Sequence, residues 1–181
     1  MSPHDQLVQF LEDGLRLDEL LTLQPEEPIL YEPIVMTRRE LISVGGGSRI
    51  DSFVKLEGGT GMRIGRYVHI ASFAHLGIGG GETVLEDYTA VASGARVISG
   101  SNQLDAISMS ACAPRDMQRI VANRTVLEKY ATVLAGATVL PGVTLHEGAV
   151  LSAGAVATRD IPAWEVWAGV PARFLRKRVL R

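Results

Sequence analysis

From Ile50 onward the aliphatic positions of the chain recur at every sixth residue. The hexads IDSFVK, IGRYVH, IASFAH, LEDYTA, VASGAR and VISGSN share one pattern, and after an interval it returns as LEKYAT, VLAGAT, VLPGVT, LHEGAV and LSAGAV. An aliphatic residue opens each unit, a small or acidic one follows, two turn-tolerant residues come next, and a small residue precedes a spacer. Sandwich strands would alternate with period two between turns, which is not what recurs. A period of six predicts a parallel β-helix, in which short strands and tight corners wind into coils around stacked aliphatic side chains. The small fifth residue fits where two walls meet and leave little room. Three hexads per triangular coil give five or six coils over residues 41–170, each rising by ~4.8 Å.

Before the repeat, Leu7, Phe10, Leu11, Leu15, Leu20 and Leu21 fall near helical spacing and predict an amphipathic helix over about residues 4–23, weakened at Gly14. The three prolines of LQPEEPILYEPIVM forbid a continuous helix and predict an extended connector to about residue 40. After the repeat, residues 171–181 read as a short basic helix. Two interruptions break the rhythm. LGIGGGET (76–83) is two residues too long, and its glycines permit an excursion from the wall. The larger interruption, 101–124, is polar and irregular, and a long insertion in a rigid scaffold is where chemistry or binding is expected. A tolerated surface loop is the alternative.

Composition narrows the classes. The 181 residues carry a net charge of -2, with 46% hydrophobic and 21% charged residues, enough for one cored domain and without the basic field that nucleic acid requires. No apolar run reaches a membrane span's length, and MSPHDQLVQFLEDG lacks a signal peptide's basic start and apolar middle. Cys112 is the single cysteine, so no internal disulfide forms, and a cytoplasmic location is expected.

The stretch VLAGATVLPGVTLHEGAVLSAGAVATRDIPAWEVWAGVPARFLRKR resembles the C-terminal half of hexapeptide acyltransferases of the maltose, galactoside and nodulation O-acetyltransferase group, with VLPGVT, TRDIP and AGVPAR its most specific pieces. The resemblance spans about residues 50–178. It implies a left-handed β-helix, a homotrimer, and acetyl-CoA bound between neighbouring subunits, with no metal and with acetyl transfer to a hydroxyl or amine of a sugar such as a nucleotide sugar or surface-polysaccharide precursor. In that group a catalytic histidine begins the inserted loop in a stretch similar to THPLDA. Here the matching stretch is SNQLDA, so Asn102 stands at the base's position, and an amide takes up no proton at neutral pH. Asp105 keeps the group's spacing and would orient a base or bind an acceptor hydroxyl; a turn-forming aspartate is the competing reading.

Histidine, with an unperturbed pKa of about 6.5, suits proton removal from the attacking group. Of the four histidines, His4 has no supporting pattern and His146 lies far along the solenoid in LHEGAV. His69 and His75 end consecutive hexads just before the insertion and are the candidate bases. His69 is preferred, because VHIASFAHLGIGGGETVLEDYT resembles a polysaccharide-modification branch with a histidine at that place; a wall residue bonded to the next coil is the alternative for each. The resemblance places cofactor contacts on Ala135, Ala153, Thr158, Arg159, Arg173 and Arg176, and the basic C-terminus suits the phosphates of CoA. Trp164 and Trp167 read as caps of the solenoid end. Two other functional classes stay open. One is a catalytically silent hexapeptide scaffold, suggested by Asn102; the other is a γ-type carbonic anhydrase, which needs a third zinc-binding histidine beside His69 and His75.

Overall fold

The computed structural model describes residues 27–179. Within them the chain winds a parallel β-solenoid with three walls. The first wall stacks Ile29–Leu30, Arg49–Ile50, His69–Ile70, Ala90–Val91, Thr132–Val133, Val150–Leu151 and Glu165–Ala168. The second stacks Val35–Thr37, Lys55–Glu57, His75–Ile78, Arg96–Ile98, Thr138–Val139 and Val156–Ala157. The third stacks Ile42–Val44, Gly61–Ile64, Glu82–Leu85, Arg124–Leu127 and Thr144–Leu145, and is extended by a bridge from Leu145 to Ile161. The seven strands of the first wall number seven coils, one or two more than the hexads predict. The extra coil comes from the proline-rich segment, whose strands Ile29–Leu30 and Val35–Thr37 pair with the second coil instead of lying outside the repeat.

The hexad's opening aliphatic residue is the inward rung of each wall. Ile50, Ile70, Val91, Val133 and Leu151 stack in register on the first wall, all fully buried. Ile64, Leu85, Leu127, Leu145 and Ile161 do the same on the third. Each such side chain contributes about 1.5–3 kcal/mol by leaving water. The small fifth residues Ala74, Ala95, Ala131, Ala137, Ala149 and Ala155 are buried inside the corners.

The fourth residue of the hexad turns each corner through the left-handed region, where a side chain costs roughly 1–2 kcal/mol. Glycine would avoid that cost, yet Phe53, Tyr67, Phe73, Tyr88, Tyr130 and Trp164 occupy such corners at φ of 56 to 66°. Stacking offsets the strain. At the corner between third and first walls, Tyr67, Tyr88 and Tyr130 stack at 5.2 and 5.3 Å, and Trp164 lies 6.2 Å beyond.

The insertion leaves the solenoid in the fourth coil, at the corner between second and third walls. It is an antiparallel hairpin at its neck, Gly100–Asn102 against Ile120–Ala122. The glycines of LGIGGGET form the corner beneath. A Cβ on Gly79 would lie 1.9 Å from the Gly100 carbonyl oxygen, and one on Gly81 would lie 2.0 Å from that of Ser99, so only glycine lets the neck rest on the coil below.

The expected helix over residues 4–23 lies outside the described residues. The expected C-terminal helix is corrected: Arg173–Lys177 is a strand, antiparallel to Glu165–Ala168. After a turn at Gly169, with φ of 94°, the chain folds back and pairs the exposed edge of the last coil, which a helix would leave open. Trp167 is buried beneath, its indole N–H donating to Glu165, with the Arg159 guanidinium 5.2 Å from its ring. Trp164 instead continues the tyrosine ladder.

Candidate active site

His69 and His75 lie on the same coil, at the first positions of the first and second walls, and both point outward and are partly buried. Each faces a carboxylate one coil below. His75 Nε2 lies 2.7 Å from Glu57 Oε1, and His69 Nε2 lies 3.0 Å from Asp51 Oδ2. The two pairs differ in their third member. The Lys55 ammonium sits 2.8 Å from Glu57 and leaves the imidazole of His75 alone. The Arg49 guanidinium approaches His69 Nε2 itself, at 2.8 Å. Arginine only donates, so it competes for the same nitrogen that the carboxylate needs protonated.

Burial works to raise the Glu57 carboxyl's pKa, but the hydrogen bonds and charges of Lys55 and His75 outweigh it and hold the group below the ordinary carboxylate range. An ionised Glu57 keeps the proton on His75 Nε2 and leaves Nδ1 with its lone pair, the arrangement of an oriented base. A carboxyl held low in the folded state adds stability above its ordinary pKa, and that stability is lost as pH falls through the folded value. Glu57→Gln is therefore expected to remove about 1 kcal/mol at neutral pH. It also flattens the acid side of the stability profile, read by urea unfolding between pH 3 and 7.

The corners beside the two histidines are unlike. The one next to His69 carries the tyrosine ladder above it, and beside the ladder Gly47, Arg49, Tyr67, Val68 and His69 line an open cavity of about 400 Å³. The one between first and second walls, next to His75, carries Phe53 and Phe73 and then nothing. On the three coils above, the corner residues are Gly94, Gly136 and Gly154, where a Cβ would meet no atom within 4 Å. This leaves a bare groove along the solenoid edge, from His75 to the turn at Gly169 and the start of the basic strand at Arg173. Four rungs at ~4.8 Å make it roughly 19 Å long. Ala135 and Ala153 are exposed along it, and their N–H groups donate to nothing among the described residues.

The other predicted residues are spread. Arg173 sits at the groove's upper end and Arg176 on the same exposed strand. Thr158 and Arg159 are exposed at the opposite edge of the second wall. Asn102 and Asp105 belong to the insertion. Asn102 Nδ2 donates to the Met109 carbonyl at 2.7 Å, and Asp105 pairs with Arg119 across the loop. Both brace the arm. Beneath its neck, Thr37, Arg38, Glu57, Gly59, Gly79, Gly80, Ile120 and Ala122 line a cleft of about 310 Å³. Glu57 thus borders this cleft while holding the imidazole that borders the groove. Sequence reasoning missed Glu57 and Asp51, although both stand 18 residues before their histidines, about one coil of this solenoid. Among the described residues, no three His, Cys, Asp or Glu side chains are gathered to hold a metal ion, and no helix is long and apolar enough to cross a membrane.

No family model and no curated protein sequence matches the chain. Solved structures do. A variant of AntD, an N-acyltransferase from Bacillus cereus, in complex with dTDP and coenzyme A, superposes with a TM-score of 0.80 at 23% identity over 91% of each chain. AntD in complex with dTDP and 3-hydroxybutyryl-CoA gives 0.79 at 23% identity, over 91% of this chain and 89% of that one. A hexapeptide transferase family protein from Anaplasma phagocytophilum gives 0.60 at 19% identity, over 84% and 80%. At these identities the likeness concerns the fold: the chain has the hexapeptide-repeat β-solenoid that these transferases share.

Proposed function

We propose that the protein transfers a short acyl group from an acyl-CoA to an amine or hydroxyl of a nucleotide-linked sugar, with His75 as general base. The observation that carries this is the bare groove ending at an imidazole whose second nitrogen is held by a carboxylate. Pantetheine is thin and bears amides, so it suits a side-chain-free edge with unpaired backbone N–H groups at Ala135 and Ala153. Arg173, at the groove's upper end roughly 19 Å from His75, stands where the CoA phosphates would fall, with Arg176 farther along the same strand. The acceptor occupies the cleft under the arm, on the other side of the Glu57–His75 pair.

The nucleophile attacks the thioester carbonyl, the new C–N or C–O bond forms and the C–S bond breaks. His75 Nδ1 takes the nucleophile's proton and returns it to the departing sulfur, giving free CoA thiol. His75 is favoured over His69 because Arg49 engages the His69 ring, and because the edge above His75 is bare where the one above His69 carries stacked rings. An amine acceptor is favoured over a hydroxyl. An amine near neutral pH is partly unprotonated and nucleophilic without a strong base, which accommodates Asn102 at the loop start. The N-acyltransferase AntD, crystallised with dTDP-4-amino-4,6-dideoxyglucose, supports the same choice. The assembly is a homotrimer in which the arm, with Leu104 89% and Ile107 81% exposed, reaches a neighbouring copy and closes its acceptor cleft.

Thiol release from acetyl-CoA and 3-hydroxybutyryl-CoA, measured with nucleotide-linked amino sugars, their hydroxyl counterparts and free sugars, tests the proposal. Turnover is expected with the nucleotide-linked amino sugars. Tight acyl-CoA binding without turnover over the whole panel would favour the silent scaffold instead.

A further inference from the structure

Of the aromatic residues that turn corners through the left-handed region, Phe73 is the most exposed. Its backbone is left-handed, at φ of 65°, and its ring is 66% exposed, so the strain gains little burial. Its lower face lies on Phe53, with ring centres 5.3 Å apart and planes 4° from parallel. Its upper face looks along the groove at Gly94, where the next rung of the ladder is missing. Each tyrosine ring of the other ladder, by contrast, is followed by another aromatic ring. Phe73 also stands two residues before His75 on the same coil.

We infer, resting on the groove assignment above, that the ring of Phe73 is the floor on which the transferred acyl chain ends, so that this one side chain limits acyl length. A thioester brought to His75 from the glycine corners directs the carbons beyond its carbonyl at the open ring face. The face is apolar, which suits an alkyl chain and disfavours a charged one. Beneath it Phe53 fills the corner, so a longer chain has no continuing channel. Glycine at this place is what the three coils above use, so Phe73→Gly keeps the backbone geometry and opens one rung. One rung is about 4.8 Å, the reach of roughly three carbons at bond lengths near 1.5 Å.

The test compares kcat/KM for acetyl-, butyryl-, hexanoyl- and octanoyl-CoA at a fixed acceptor concentration, with thermal melts of every variant. The wild type is expected to lose about tenfold or more once the chain outgrows the floor. Phe73→Gly moves that limit outward by roughly three carbons, with the KM for acetyl-CoA little changed. Phe73→Trp keeps the limit or shortens it, and Phe53→Gly alone leaves the wild-type profile. An unchanged length profile in folded Phe73→Gly overturns the inference. So does a rise in acceptor KM alone, which would give the ring face to the acceptor, or dissociation on a sizing column, which would give it to a neighbouring copy. Absence of thiol release with every acyl-CoA would instead remove the acyl-transfer reading on which the inference rests.

Discussion

His75→Ala is expected to lower kcat by about 10²–10⁴-fold with little change in the KM for acyl-CoA, while His69→Ala stays within a few-fold of wild type. The asymmetry follows from what holds each ring. Glu57 fixes the His75 tautomer, and Lys55 balances the carboxylate without touching the imidazole. At His69 the guanidinium of Arg49 contacts the ring nitrogen and Asp51 together. Its removal therefore costs a surface contact and no proton acceptor. The split between kcat and KM separates a base from a structural residue: a fall in kcat alone, with an unchanged melting temperature, is expected in His75→Ala and not in His69→Ala. An amine acceptor puts the loss at the smaller end of the range, a hydroxyl at the larger. Wild-type activity in both variants would show that neither imidazole takes the proton. Glu57→Gln should fall between wild type and His75→Ala, because it releases the tautomer and leaves the ring in place.

Much of this was legible in the residues. The period of six gave the solenoid because each inward rung must be aliphatic, and Ile50, Ile70, Val91 and Leu151 are such rungs. The insertion at 101–124 and the glycines beneath it were visible as breaks in that period. What stayed hidden was what stacking between coils creates. A residue's neighbours in a solenoid lie one coil away, so Glu57 beside His75 and Phe53 beneath Phe73 carry no local signature. The C-terminal segment misled because RFLRKR is basic and short, compatible with helix or strand. The unpaired edge of Glu165–Ala168 decides it. Asn102 was read against a histidine position, while the fold gives it a bracing bond to Met109.

Gly136→Phe is expected to raise the KM for acyl-CoA by about tenfold or more while leaving the fold intact, the effect of filling a groove that must admit a thin chain. The backbone accepts the change, since Phe53 and Phe73 already hold this corner position at φ of 66 and 65° and Gly136 sits at 66°. Nothing in the described chain occupies the space a Cβ would enter there. The added ring would stand two rungs above Phe73 and close the edge between Ala135 and Ala153, where pantetheine is expected to lie. A melt within a few degrees of wild type, combined with weakened binding of both CoA and acyl-CoA in calorimetry, would localise the cofactor to this edge. Gly142→Phe supplies the control, since Gly142, at φ of 80°, turns the corner at the far side of the second wall, where Asn123 lies against it. If the two variants weaken CoA alike, or neither does, the cofactor lies elsewhere on the solenoid and the preference for His75 over His69 loses its main support.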